Sequence, residues 1–390
     1  MKKVIKLLCL ALCVAMAATC LVSCGDKKES NEGSSDKTIV IGCTGPLTGD
    51  AAVYGIAVKN AGELAVKDIN ASGLLGDIKL EFKMEDDVAD PEKAPAAYNK
   101  LKDEDMKIFA GTVTTGACLA ITETTKQDNI FQITPSASGA DVIKNDNCFQ
   151  VCFTDPNQGI KSADYIADNK LATKVAVIYD SSDAYSSGIF NTFKQECSTK
   201  GLNLVSEKSF TKDNKTDFSA QINDAKSKGA ELVFLPIYYS EAAQILKQSK
   251  DAGFTPKFFG CDGLDGLLDI ENFDKSLAEG VMLLTPFAAD SKDEATQKFV
   301  KDFKAAYTDT PNQFAADMYD GVNVIAQCIK DGKVTADMDI SKICDILKEQ
   351  ITKVTYQGLT GANMTWKASG EVNKQPKAVE IQKGTYVSMD

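Results

Sequence analysis

From residue 38 onward, short runs of aliphatic and β-branched residues alternate with longer stretches in which apolar positions recur every three or four residues. The short runs predict buried strands and the longer period predicts amphipathic helices. The pattern gives strand 38–43, helix 53–70, strand 78–84, helix 91–103, strand 107–110, helix 117–127 and strands 130–134 and 149–153. A second round follows: helix 157–168, strand 174–179, helix 188–200, strand 202–209, helix 218–228, strand 231–235, helix 241–252 and strands 256–260 and 280–285. Residues 292–353 read as mostly helical and 363–387 as short β segments. Regular β–α alternation implies an α/β fold of parallel sheets with helices on both faces. Two rounds imply two doubly wound lobes. The late helices and terminal strands have to dock on lobes already formed, so each lobe is discontinuous. The expected division is 38–155 with 286–360, and 156–285 with 361–390. In such lobes ligands bind outside the carboxyl ends of the strands, and two lobes can turn those ends toward a shared cleft.

The N-terminus departs from this rhythm. Lys2 and Lys3 precede an apolar run over 7–22 that is short for a bilayer span and is followed by small and polar residues. That is the pattern of a secretory signal peptide, expected over 1–23. Its end, Leu21-Val22-Ser23-Cys24-Gly25, resembles the lipobox of bacterial lipoproteins. The resemblance implies that Cys24 carries a diacylglyceryl group and is the first mature residue, anchored to the cell membrane by its acyl chains. Residues 24–37 are almost without apolar side chains and read as a flexible tether.

Charge and residue types narrow the chemistry. The formal net charge of −12 disfavours nucleic acid and anionic membrane surfaces as partners. The chain has no His and no Arg, so all 43 basic side chains are Lys. Without His there is no Ser-His-Asp or Cys-His catalysis, and the commonest zinc ligand is missing. Without Arg there is no bidentate clamp for a carboxylate or phosphate. A bound anion therefore has to be met by backbone N–H groups, hydroxyls or Lys. Cys43, Cys118, Cys148, Cys152, Cys197, Cys261, Cys328 and Cys344 show no paired CxxC spacing, so no metal site is expected. No Gly-x-Ser-x-Gly, Rossmann or Walker pattern appears, so neither catalytic residues nor a cofactor are expected.

The stretch Lys107 to Cys118 passes from a strand through Gly111-Thr112-Val113-Thr114-Thr115-Gly116 into a helical pattern. A hydroxyl-rich turn there suits an anion, although threonines in turns often only cap helices. A second small hydroxyl turn, Thr134 to Ser138, follows the next strand. Tyr185 reads equally as a surface aromatic, Asp262 as an Asx-turn residue, and Tyr238 and Phe314 as core.

Several post-strand turns together resemble the branched-chain amino-acid-binding proteins of ABC transporters. The series comprises Ile39 to Gly49 with Tyr54-Gly55, Lys67 to Leu74, Asp86-Asp87 with Asp90-Pro91, and Ile133 to Ser138. It continues through Asp183 to Ser186, Thr216 to Ser219, Tyr238 to Glu241 and Gly260 to Gly263. The resemblance implies the type I periplasmic binding fold, two lobes joined by hinge strands that close like a flytrap on an amino acid. It places Thr115, Ser136 and Ser138, with Ala137 between them, at the ligand carboxylate. Tyr185 and Asp262 fall at the ammonium, and Tyr54, Val113, Thr114, Tyr238 and Phe314 at the side chain. Family members often carry Glu where this chain has Asp262, and a family disulfide is replaced by Val88-Ala89 and Thr114. The expected function is an extracytoplasmic, lipid-anchored, monomeric receptor that passes an aliphatic amino acid to an ABC permease. The alternative is a sensory receptor for an amino acid or a related small amide or carboxylate, with no transport role.

Overall fold

The structure, a computed structural model, describes residues 37–389. The signal segment, Cys24 and nearly all of the tether lie outside the described residues. Strand β1 (Thr38–Gly45) is buried over almost its whole length, as a central parallel strand must be. Helix α1 (Ala52–Ser72) turns Tyr54, Val58, Ala61 and Leu64 inward and ends on Gly73, whose φ of 69° supplies the left-handed cap. The first round continues with β2 (Lys79–Asp86), α2 (Ala94–Asp103), β3 (Met106–Phe109), α3 (Thr115–Leu119), α4 (Thr122–Gln127), β4 (Gln132–Thr134) and β5 (Cys148–Gln150). These strands form a parallel sheet in the order β2-β1-β3-β4-β5.

The second round is α5 (Asp155–Asp168), β6 (Lys174–Asp180), α6 (Ala184–Lys200), β7 (Asn203–Phe210), α7 (Ser219–Ser227), β8 (Leu232–Leu235), α8 (Tyr239–Asp251), β9 (Lys257–Gly260) and β10 (Met282–Thr285). Helices α9 (Glu294–Tyr307), α10 (Gln313–Asp331) and α11 (Ile340–Ile351) come next, and the hairpin β11 (Lys377–Gln382) and β12 (Thr385–Ser388) ends the chain. The second sheet runs β12-β11-β10-β9-β8-β6-β7, parallel except for the hairpin. The hairpin turn is Lys383-Gly384, both at positive φ, which matches the twist of the strands it joins. The strand order reverses at β1 in one sheet and at β6 in the other, so each lobe has its switch point at the end facing the cleft.

Two local expectations need correction. The helix expected over 117–127 is broken into α3 and α4. Ile121 turns fully into the core at the break, and the hydroxyls of Thr122 and Thr125 bond to the carbonyls of Leu119 and Thr122. Such local bonds compete with a continuous helix. The second difference concerns the last crossing. Helices α9 and α10 pack on α1 and α11 lies by β3, so 294–351 returns to the first lobe. The segment after 361 stays there as well. The Trp366 indole N–H donates to the Gln150 carbonyl at 2.7 Å, and the Gln150 N–H donates to Gly370 at 3.0 Å. A Cβ at Gly370 would sit 2.2 Å from the Cys148 carbonyl, so this close approach requires glycine. The chain rejoins the second sheet only at Lys377.

Beside that crossing lies a buried ion pair. Lys374 is fully buried at its side chain and donates to Asp317 on α10 and to the Thr360 hydroxyl. Asp320, one turn along α10, accepts from the Thr360 hydroxyl at 2.7 Å and from the N–H groups of Leu359 and Thr360 at 2.9 Å. Removing one partner from such a pair strands the other charge. Lys374→Ala is expected to destabilise the protein by about 3–5 kcal/mol in urea denaturation. The Lys374→Met/Asp317→Asn double substitution is expected to cost much less.

Candidate functional site

The two hydroxyl turns of the first lobe follow β3 and β4, so they emerge side by side at the cleft end of the sheet. Their internal bonds decide which donors are left. The Thr134 hydroxyl donates to the Thr112 carbonyl at 2.7 Å and accepts from the Ala137 N–H at 2.8 Å. The Ser136 hydroxyl donates to the Val113 carbonyl at 2.6 Å. Thr115 Oγ1 accepts from the N–H groups of Ser138 and Gly139, both at 3.2 Å, and keeps its own proton to donate. Thr114 Oγ1 and Ser138 Oγ are buried without a partner among the described residues. The donors open to a ligand are therefore hydroxyls more than backbone N–H groups. Helix α3 has only five residues, so its dipole adds little.

Across the cleft, the turn after β6 is fixed by Asp183, whose side chain caps α6 by accepting from the Ser186 N–H at 3.0 Å. Tyr185 follows, and its hydroxyl donates to Asp262 Oδ1 at 2.7 Å and accepts from the Gly263 N–H at 2.9 Å. Asp262 stands just beyond β9, only 4% exposed. Its N–H donates to Gln158 at 3.1 Å and its carbonyl accepts from the Gln313 amide at 2.8 Å. Among the described residues, the Asp262 carboxylate has no ion-pair partner. Burial pushes its pKa up to about 7, against the pull of the Tyr185 hydrogen bond.

Tyr54, Val113, Thr114, Thr115, Ser136, Tyr185, Tyr238, Asp262, Phe314 and Gly263 enclose a cavity of about 20 Å³. Nine of the eleven ligand residues expected from the sequence thus meet around one space. Ala137 and Ser138 are buried but do not line it. The space holds about one water. It is closed by aromatic packing: Tyr54 lies 4.4 Å from Phe314 and 5.6 Å from Tyr238 by ring centroid, and Tyr238 stacks on Tyr185 at 5.1 Å.

Some of the bonds that join the lobes involve residues not expected from the sequence. The Tyr54 hydroxyl donates to the Gly263 carbonyl at 2.5 Å and accepts from the Tyr239 N–H at 3.2 Å. The Val53 N–H donates to the Tyr239 hydroxyl at 3.2 Å. At the mouth, in a wider cavity of about 440 Å³, Lys215 bridges Asp50 of the first lobe at 2.7 Å and Glu241 of the second at 3.0 Å. Asp155, at the start of α5, is fully buried, and its Oδ2 has no partner. Burial drives its pKa well above the usual carboxylate range. Its carboxylate and the Ser138 hydroxyl approach each other without reaching hydrogen-bond geometry. No local sequence signal separates Asp155, Gln158 or Gln313 from ordinary capping and surface residues, because their roles depend on contacts between distant segments.

A family model described as periplasmic binding protein matches residues 38–385. The leucine-, isoleucine-, valine-, threonine- and alanine-binding protein of Pseudomonas aeruginosa is 27% identical over 86% of this chain and 87% of its own length. The Leu/Ile/Val-binding protein homolog 3 of Brucella melitensis is 35% identical over 58% of this chain, a match spanning 61% of that protein. Among solved structures, the branched-chain amino acid transporter substrate-binding protein LivJ of Streptococcus pneumoniae, in complex with isoleucine, superposes with a TM-score of 0.81. It is 25% identical, covering 90% of this chain and 98% of that one. These relatives are binding proteins and not enzymes.

The closed cleft has a pH dependence of definite sign. Asp262 goes from an ordinary 3.8 to about 7 on burial, so the closed, ligand-free form binds a proton that an open, solvated carboxyl releases. Closure is favoured below the ordinary value and loses this contribution, on the order of 4 kcal/mol, as pH rises through about 7. Small-angle scattering of ligand-free protein should show a larger radius of gyration at pH 8 than at pH 5. Asp262→Asn should shrink that difference, and equal radii at both pH values would contradict the assignment.

Proposed function

The chain belongs to the periplasmic binding protein family, whose role is solute binding, and on that premise we propose that it is a receptor for an α-amino acid with an aliphatic side chain. The observation that carries this reading is the pairing of two incomplete half-sites across one cavity. One lobe offers the hydroxyl of Thr115, which keeps its own proton to donate, to an anion. The other offers a buried carboxylate without a cation, Asp262, held in place by Tyr185. An α-amino acid carries both complementary charges on adjacent atoms, and its ammonium would ionise Asp262 in place of a proton. Ser136 lines the carboxylate half, with Ala137 and Ser138 buried beside it in the same turn. Tyr54, Val113, Thr114, Tyr238 and Phe314 form the walls around the side chain.

Capture requires the lobes to part, since the enclosed volume is far below that of an amino acid. Ligand then shifts the equilibrium back to the closed form by its differential affinity for that form. The names of the Pseudomonas and Streptococcus relatives support an aliphatic ligand and an ABC transport setting. In this reading the mature protein is extracytoplasmic, monomeric, tethered through lipidated Cys24, and hands its ligand to a permease. Loss of amino-acid uptake on deletion would support delivery, whereas unchanged uptake would point to sensing.

A thermal-shift screen on the protein from Thr38 tests the ligand class. Leucine, isoleucine or valine at about 100 times its dissociation constant should stabilise by roughly 2.7 kcal/mol. Asp262→Ala should weaken binding by about 3–5 kcal/mol, because the ammonium would be buried without a partner. No shift with any aliphatic amino acid would sink the ligand assignment.

A further inference from the structure

Thr114 occupies the N-cap position of α3 with the extended backbone usual for a cap, φ −100° and ψ 147°. A threonine in that place normally turns its hydroxyl back onto the N–H groups of its own helix. This one does not, for the side chain makes no capping bond. Thr114 is 5% exposed, and its Oγ1 meets no partner among the described residues. The neighbouring hydroxyls differ. Those of Thr134 and Ser136 donate within the turns, and that of Thr115 accepts there. Besides aromatic and aliphatic groups the enclosed cavity is lined by Thr115, Ser136, Tyr185 and Asp262, and of its Thr and Ser hydroxyls that of Thr114 alone has no partner among the described residues. Thr114 also lines the wider mouth, so a ligand passes it on entry.

A buried hydroxyl without a partner disfavours the state that leaves it so. A purely hydrocarbon side chain would seal Thr114 in that condition, whereas a side chain with its own hydroxyl at the γ position would relieve it. We propose that Thr114 is a specificity-determining residue that reads the β-carbon substituent of the ligand, so that the site prefers a β-hydroxy, β-branched amino acid to its hydrocarbon isostere. This inference rests on the amino-acid reading above and refines its substrate class. Threonine and valine have the same shape and differ only by hydroxyl against methyl, so packing terms cancel in the comparison and the hydroxyl pairing is left.

Isothermal titration of the protein with L-threonine, L-valine and L-alanine tests it, using wild type and Thr114→Val. Wild type should bind L-threonine about tenfold more tightly than L-valine or better. Thr114→Val should abolish or reverse that order, with L-alanine, which has no γ atom, showing the variant's effect on the shared backbone contacts. A wild-type preference for L-valine would overturn the inference without any variant. So would an unchanged threonine-to-valine ratio in Thr114→Val, or an equal loss for all three ligands, which would assign the hydroxyl to the carboxylate or to the loop. If wild type binds none of the three but binds leucine or isoleucine, this inference fails and the receptor reading stands; if it binds no aliphatic amino acid at all, the receptor reading itself fails.

Discussion

The carboxylate of Asp262 is buried at the meeting of the two lobes, and among the described residues no cation pairs with it. Desolvating such a group is costly unless it is neutralised by a proton or by a positive ligand. That single constraint couples charge to shape. Burying Asp262 favours its protonated or paired form, so charge and packing meet at one point. The Tyr54 hydroxyl of the first lobe reaches Gly263, the residue next to Asp262, and within the second lobe the Tyr185 hydroxyl touches both Asp262 and Gly263. The contact between the lobes and the setting of the carboxylate therefore share the same residues.

The buried ion pair beside the last crossing shows the opposite solution to the same problem. Asp317 is as deeply buried as Asp262, but Lys374 pairs with it from within the chain. Asp320 takes three donors from Leu359 and Thr360. A carboxylate with all its partners is a fixed structural element, whereas one left without a cation is a demand on the solvent or a ligand. The two sites share helix α10, which carries Asp317 and Asp320 and also sends Phe314 to the cavity and Gln313 to the Asp262 carbonyl. One helix thus carries a fully partnered ion pair and, a turn away, residues that line the cleft.

The period of apolar residues was enough to read the two parallel-sheet lobes, because central strands buried on both faces leave continuous hydrophobic runs and crossover helices leave stripes. The short helices α3 and α4 were misread as one, since the Thr122 and Thr125 hydroxyl bonds that break the stripe are tertiary and local details invisible to periodicity. The return at Lys377 was misplaced for a similar reason: Trp366 and Gly370 hold their segment to the first sheet through contacts with Gln150 and Cys148, far away in sequence. For the site, residue types and the resemblance brought together Tyr54, Thr114, Thr115, Tyr185 and Asp262. Which hydroxyls are spent and which are free was not legible. Ser136 and Thr115 look alike in sequence, yet one donates inward and the other keeps its proton for the cleft.

The residues that stand in place of the family cross-link show how the 86–89 turn stays organised without a disulfide. Where the resemblance places a cysteine pair, this chain has Val88-Ala89 and Thr114, and both Val88 and Ala89 adopt positive φ, at 57° and 56°. Such a conformation is unfavourable for a β-branched residue and needs outside support. Asp86 provides it, accepting from the N–H groups of Val88 and Leu47 at 2.9 Å and from the Thr48 hydroxyl at 2.6 Å. Asp87 accepts from the Ala89 N–H at 2.9 Å. Partial burial alone would raise the Asp86 pKa, but the bonds from Thr48, Leu47 and Val88 hold it below its ordinary value. Hydrogen bonds to one ionised side chain thus do locally what a covalent link would do, and the residue opposite is released from structural duty. Free of a cross-link and of capping its own helix, Thr114 lines the cavity with its hydroxyl unpartnered among the described residues.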